Sequence, residues 1–555
     1  MRRWFVLGLM ALPLGCGAPT PDAPSAAAPA PDAAVAMLPA APRAPMAPAR
    51  PAPVVRREPT LAMDPALEEE SSAESHVSME QEAPLTDGEL AASGLSSAVG
   101  AEGEEEPAEV SEPAPGQPAE ALAQDGGAAP ELLAEAPAPD GGTAPEALPL
   151  ETIELEPNSR SLRARRSIAI RAEPREDAAP IGTLAQDVRV SWVQAVKGPG
   201  CDAWVQIAPR GWICERYLEG NFREPRAREL PRLAPGAFTP GLYARVVGKG
   251  ARAYPSLAAA RLHQKGRKLQ GSLTVRLQVE RRVGKHRIWR TSDGEYIEAR
   301  FLRRYRPSQF AGLDRTQLDV ALMPLAWAQS HAHPRAPVTV RKAAADDAPK
   351  ARALPPRSIV SVLQTSADGR WALVADGRWV LREDLHVVQP SPPPAEAGPT
   401  ERWLDVDLQE QVLVAYEGAQ PVYATLISSG ASGHETPEGL YRIWIKFGEV
   451  DMKGQAAGQG PYRVATVPWV MFFEGDFALH SSYWHDRFGE PVSHGCVNLS
   501  PRDARALYAW SAPEVPAGWS MAYASAEQAG SLVRIHRGAA SEAPTPLISS
   551  AASAP

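Results

Sequence analysis

The sequence predicts a mainly β chain built from several folded units: a long N-terminal segment without a core, about three small β-barrels, and a C-terminal β-sandwich domain with a few short helices. Three observations carry this reading. The 57 prolines and 43 glycines of the 555 residues are unevenly spread, so folded units separated by linkers are expected. Between Arg160 and Pro390 a tryptophan, glycine and aromatic pattern recurs three times. From Trp403 onward the pattern changes to short alternating apolar segments broken by polar turns, which reads as a different kind of β domain.

Residues 1–16 open with Arg2 and Arg3, continue through the apolar run Trp4 to Leu14 and reach Gly15-Cys16, the layout of a bacterial secretory signal. The apolar run is too short to span a membrane. The small residue before Cys16 resembles the lipobox of bacterial lipoproteins, which implies that Cys16 is acylated and anchors the chain to a membrane. Residues 17–159 are rich in alanine, proline, glycine and glutamate, with too few large apolar groups to offset the entropy of ordering, and are read as a disordered spacer. Glu58 to Ser159 holds 25 acidic and no basic side chains, whereas residues 160–555 hold 51 basic and 39 acidic ones. The net charge of −9 therefore combines an acidic tether with a basic folded part. That polarity suits a tether that avoids anionic surfaces and a folded part drawn to them, or serves solubility alone. As a coil the spacer would average roughly 65 Å end to end, enough to leave a membrane and reach a nearby wall polymer.

The repeats place Trp204 before Gly211-Trp212-Ile213, Trp289 before Gly294 and Tyr296-Ile297, and Trp371 before Gly377 and Trp379-Val380. Trp212, Tyr296 and Trp379 lie 84 and 83 residues apart. Upstream, Arg171-Ala172-Glu173-Pro174 is echoed by Arg252-Ala253-Tyr254-Pro255 and more faintly by Arg341-Lys342-Ala343. These units, placed at residues 160–225, 240–306 and 335–390, resemble bacterial Src-homology-3-like domains. That resemblance implies wall binding, although buried aromatic residues also serve any small barrel as core. Cys201 and Cys214 fall in the first unit and would pair in an oxidising compartment. Residues 307–334 are a linker in which Leu313 to Gln329 reads as a helix, and His331 and His333 are linker residues rather than metal ligands. A Pro-rich linker, 391–400, precedes the last domain, 401–537, and a disordered tail, 538–555, follows it.

In that domain Leu404, Val406 and Leu408, then Val412, Val414 and Tyr416, predict a hairpin. A third strand, Val422 to Ile427, leads to Ser428-Ser429-Gly430, and Thr436-Pro437-Glu438-Gly439 precedes a strand at Tyr441 to Ile445. The chemistry lies in residues 477–500, FALHSSYWHDRFGEPVSHGCVNLS. Cys496 is the cysteine left over from signal and disulfide, and a thiol is a useful nucleophile only as its thiolate, which needs a base or cation within reach. His480 and His494 are both candidates; on an extended strand His494 and Cys496 would share a face. Gly495 between them permits close backbone approach.

The run Ser493-His494-Gly495-Cys496-Val497-Asn498 with upstream His480 resembles the signature of L,D-transpeptidase (YkuD-type) catalytic domains. Ser428-Ser429-Gly430, Thr436-Pro437, Gly439, Leu499-Ser500-Pro501, Asp503-Ala504 and Leu507-Tyr508 extend the resemblance across residues 400–535. It implies Cys496 as nucleophile, His480 as the proton carrier, Ser481 holding the imidazole, and His494 shaping the site. The Gly495 and Cys496 amides would stabilise the oxyanion, Ser493 would belong to the oxyanion or substrate site, and Asn498 would fix the cysteine-bearing turn or touch substrate. Tyr483 and Trp484 would wall the donor peptide or pack beneath the loop; Arg487 would bind a substrate carboxylate or pair with Asp486 or Glu490. His434 reads as an exposed turn residue.

The implied partners are peptidoglycan stem peptides, possible envelope-protein lysines as acceptors, and a membrane reached through the N-terminal lipid; no cofactor, metal or nucleic acid is expected. The implied setting is a Gram-negative periplasm, at the outer membrane. Two other enzyme classes fit poorly. Papain-like peptidases usually place the cysteine before the histidine, and no lysine has the serine three positions upstream that a serine penicillin-binding enzyme needs.

Overall fold

The computed structural model describes residues 151–155, 159–318, 323–456 and 460–538. The signal-like start, Cys16, the acidic spacer up to residue 150 and the tail beyond 538 lie outside the described residues. No helix among the described residues is long and apolar enough to cross a membrane.

The predicted spacer overruns the first folded unit. Thr152 forms a β-bridge with Val196, the Ile153 amide donates to Ala195, and Ile153 and Leu155 pack on the first unit's core. Two large apolar side chains suffice to bring this stretch into the fold.

All three repeats share one plan. The tryptophan strand and the aromatic strand pair as a hairpin, with Gln206 opposite Trp212, Arg290 opposite Tyr296 and Leu373 opposite Trp379. One 3-10 turn follows each hairpin, at Glu215–Tyr217, Ala299–Phe301 and Arg382–Asp384. Trp204, Trp289 and Trp371 are buried in their own units. Two of the three echoed arginines also match: Arg171 donates to the Ala178 carbonyl at 2.9 Å and Arg341 to that of Ala348 at 2.8 Å, whereas Arg252 donates to the Gly266 carbonyl. Cys201 and Cys214 form a disulfide in the first unit.

The helix expected at Leu313 to Gln329 is replaced by strands. Leu313–Asp314 joins the C-terminal domain as an edge strand, and Leu325–Ala328 is a central strand of the third unit, which therefore begins ten residues before the predicted 335. All four residues of Leu325–Ala328 are buried, and a strand buried on both faces shows an unbroken apolar run that periodicity cannot tell from helix. Pro324, which lacks an amide proton, also opposes a helix interior there.

In the C-terminal domain the strands are β1 (Arg402–Asp407), β2 (Val412–Glu417), β3 (Gln420–Leu426), β4 (Gly439–Arg442), β5 (Ile445–Ala456), β6 (Gly460–Glu474), β7 (Phe477–Ser481), β8 (Val497–Leu499), β9 (Trp519–Tyr523) and β10 (Leu532–His536). One sheet runs Leu313–Asp314, β3, β2, β1, β10, β4; the other contains β9, β5, β6, β7, β8. Leu404, Val406, Leu413 and Ala415 from the first sheet meet Met471, Phe473, Leu479, Val497 and Leu499 from the second in the main core. The alternate residues of the first sheet, Trp403, Val412, Val414 and Tyr416, face outward and are covered by Leu325 and Trp327 of the third unit. The second sheet continues into the other two units: Gly182 and Thr183 pair with β9, and Leu273 and Thr274 pair with β6.

Helix α1 (Pro501–Trp510) follows β8, capped by Ser500. Asp503, wholly buried in its first turn, accepts hydrogen bonds from Gly312 N–H (2.8 Å), Tyr423 O–H (2.7 Å), Thr425 O–H (2.6 Å) and Ser500 O–H (2.8 Å). Burial pushes its carboxyl above the usual range, against the pull of these donors. Asp503→Ala strands four donors in the interior and is expected to cost about 3 kcal/mol or more, read as a lower denaturation midpoint. Asp503→Asn, which keeps an acceptor, should cost less.

Candidate active site

The parallel pairing of β7 with β8 sets the site. Leu479 lies opposite Val497, His480 opposite Asn498 and Ser481 opposite Leu499. Leu479, Val497 and Leu499 point into the main core, so side-chain alternation turns His480 and Asn498 to the other face, and Cys496, just before β8, follows them. Cys496 is half-buried beside Val467, Val470, Ala478 and Trp484, and its thiol lies 3.8 Å from the Asp476 carbonyl. His480 is 1% exposed, with its ring 5.8 Å from that of Trp484. Its Nδ1 sits 3.3 Å from the Ser481 carbonyl. A carbonyl can only accept, so the proton belongs on Nδ1 and the basic lone pair on Nε2.

Residues 491–496 are a loop, not the strand that would have aligned His494 with Cys496. Gly495 causes the break: its φ is +113°, and a Cβ there would come within 2.4 Å of the Phe477 ring. The turn is braced from both sides. Ser493 O–H donates to the Cys496 carbonyl (2.5 Å), and Thr436 O–H donates to the Gly495 carbonyl (2.7 Å). The Gly495 amide donates to Ser493 Oγ (3.1 Å), so it is engaged inside the turn and does not fit the predicted oxyanion role. His494 packs on His434, ring centroids 4.7 Å apart, and His434 is half-buried rather than exposed as expected.

The loop between β7 and β8 places the side chains for which two roles were open. Tyr483 is fully buried, so it cannot wall a substrate; its O–H donates to the Ala465 carbonyl (2.8 Å). Trp484 is half-buried, edge-on to Tyr483 and close to His480. Arg487 pairs with Glu490, its Nη2 2.9 Å from Oε2. Asn498 is buried, its amide 3.0 Å from His485 Nε2. His485 was passed over in the sequence although it stands within the same motif. Its Nδ1 accepts from the Arg487 amide (3.1 Å), and its Nε2 sits 3.0 Å from the Asn498 side-chain nitrogen.

Two other units grip this loop. From the second, Tyr243 stacks on Tyr483 at 3.7 Å with planes 14° apart, and Tyr305 meets Tyr483 edge-on at 5.9 Å. The Tyr243 O–H donates to the Thr466 carbonyl (3.3 Å), beside the Tyr483 contact on β6. From the third, Arg357 donates to the Asp486 carboxylate and carbonyl, both at 2.7 Å, and Gln329 donates to the Phe488 carbonyl (3.1 Å). Burial lowers the pKa of His386, beside Gly489, although its Nδ1 is bonded to the Glu410 carbonyl at 2.8 Å.

His386 is therefore held neutral in the fold, and the unfolded chain binds its proton first. The stability it contributes is complete above about pH 6.5, the ordinary histidine value, and is lost as pH falls below that towards the depressed folded value. A melting-temperature series from pH 8 to 5 should show a drop below pH 6.5 that is smaller in His386→Asn.

With this geometry in place, residues 401–535 match the model of the YkuD L,D-transpeptidase catalytic domain. The last domain is of the L,D-transpeptidase type. The Bacillus subtilis (strain 168) protein YciB, whose name assigns it provisionally to the L,D-transpeptidases, is 28% identical over 120 residues, 19% of this chain and 59% of its own length. The L,D-transpeptidase of Stackebrandtia nassauensis, in a crystal structure, is 22% identical with a TM-score of 0.19, over 27% of this chain and 60% of that one. The catalytic domain of the E. faecium L,D-transpeptidase, solved by NMR, is 23% identical with a TM-score of 0.20, over 25% of this chain and 100% of that one. The chain thus spans less than two thirds of YciB and of the Stackebrandtia protein.

Proposed function

We propose that this chain is an exported peptidoglycan L,D-transpeptidase with Cys496 as nucleophile and His480 as proton carrier. The observation that carries the proposal is the β7–β8 pairing, which turns His480, Asn498 and Cys496 to one face beside Trp484. In the first step Cys496 Sγ bonds to the carbonyl carbon between the L-centre of meso-diaminopimelate and the terminal D-alanine of a stem tetrapeptide. The thiol proton passes to His480 Nε2 and on to the departing D-alanine amine as its C–N bond breaks. The Ser481 carbonyl fixes the imidazole tautomer that makes this transfer possible. The Cys496 amide is assigned to the developing oxyanion, a contact typically worth about 3 to 4 kcal/mol.

In the second step an amine attacks the thioester, its nitrogen replaces sulfur on the carbonyl carbon, and its proton returns through His480 to the thiolate. A neighbouring diaminopimelate amine gives a 3→3 cross-link, a protein lysine gives a protein-to-wall linkage, and water gives carboxypeptidase action. A peptidoglycan substrate places the enzyme outside the cytoplasm, and acylated Cys16 would hold it on a membrane with the spacer as reach. Incubating the full chain with a diaminopimelate tetrapeptide and following products by mass spectrometry tests this. Release of D-alanine with dimers is expected; release without dimers means hydrolysis, and no release overturns the enzyme reading.

A further inference from the structure

Between the third unit and the active-site loop lies a cleft of about 780 Å³, within the range of small-ligand sites, roughly 300–1,000 Å³. Its ionisable lining residues are His333, Arg335 and Arg357 from the third-unit side and Asp486, Arg487 and Glu490 from the loop. Each of the two carboxylates already has a cation: Asp486 is bound by Arg357 at 2.7 Å and Glu490 by Arg487 at 2.9 Å. Arg335 is exposed, and among the described residues no carboxylate pairs with it. The cleft therefore presents one guanidinium in excess of its acids, with the His333 imidazole beside it.

We propose that this cleft binds a second wall stem peptide, distinct from the one that acylates Cys496, with Arg335 holding one of its carboxylates. The proposal rests on the transpeptidase reading for the identity of the peptide. Three features favour this occupant. A guanidinium in a partly enclosed cleft is suited to bidentate carboxylate recognition. A stem peptide carries several free carboxylates, and transpeptidation needs two stem peptides at once. The loop also divides its surfaces between them, because Trp484 lies beside His480 and Cys496 while Asp486, Arg487 and Glu490 line the cleft. Occupancy of the cleft would bear directly on the segment whose His485 touches Asn498, so the second peptide would meet the same loop that borders the nucleophile.

The test uses the full chain and the diaminopimelate tetrapeptide. In a Cys496→Ala background, calorimetric titration should show two binding events. Arg335→Glu should weaken one of them at least tenfold and leave the other unchanged, and Arg335→Lys should keep most of the affinity. Arg335 is exposed, so an unchanged melting temperature will exclude a folding defect. In the active chain, Arg335→Glu should raise the acceptor KM at least tenfold with the rate of thioester formation unaltered. A binding isotherm unaffected by Arg335→Glu, or a thioester rate that falls in step with the acceptor term, overturns the proposal. Absence of any thioester in the parent chain overturns the transpeptidase reading instead, while the titration still decides whether the cleft binds the peptide.

Discussion

Cys496→Ala is expected to abolish thioester formation and turnover together, His480→Gln to lower turnover by about 10³-fold, and His494→Ala to leave a readily measured rate. The ranking follows from position. In the proposed mechanism Cys496 supplies the atom that bonds to substrate. His480 is almost fully buried, its Nδ1 is bonded to a carbonyl, and its Nε2 is the proposed base; positioned proton transfer is typically worth 10²- to 10⁴-fold. His494 lies in the loop outside β8 and packs on His434, so its removal disturbs the turn without removing the base. Intact-mass detection of the acyl-enzyme separates the three variants. Equal and complete loss in His480→Gln and His494→Ala would reopen the choice of base.

The sequence made legible what depends on local pattern. The Trp, Gly and aromatic spacing located three hairpins, and the His480 and Cys496 motif located two strands that do pair. Gly495 was noticed for its freedom, and its positive φ keeps residues 494–496 in a bend ahead of the strand. The Gly495 amide was assigned to the oxyanion because a motif conveys which residues are near and not which way each N–H points. His485 was missed because its partner, Asn498, comes into range only when β7 and β8 lie side by side.

What could not be read was the company the loop keeps. Tyr243 and Tyr483 are 240 residues apart, and no period or spacing connects them. The same is true of Arg357 and Asp486, joined across the third unit. The repeats were weighed as wall binders or spacers, whereas their side chains are also the floor and wall of the active-site loop. Leu313–Asp314 and Leu325–Ala328 were misread for a related reason: each becomes a strand by pairing with residues far along the chain.

Tyr243→Ala is the substitution expected to show this most clearly. Tyr243 is 2% exposed and its ring lies flat on Tyr483, which in turn meets Trp484 edge-on, and Trp484 borders His480. Removing the ring leaves a cavity under Tyr483, with a stability cost of about 3 to 5 kcal/mol for a buried aromatic. The loop can then sink into the void and carry Trp484 with it. A displacement on the order of 1 Å at a catalytic group can cost about 10²-fold in rate. Tyr243→Phe keeps the stacked ring and loses only the hydroxyl contact to Thr466, so it should retain most of the rate. Thioester formation measured at a temperature well below each variant's melting point distinguishes misplacement from unfolding. A Tyr243→Ala chain that is folded, destabilised and undiminished in rate would mean that the second unit supports the domain without positioning its chemistry.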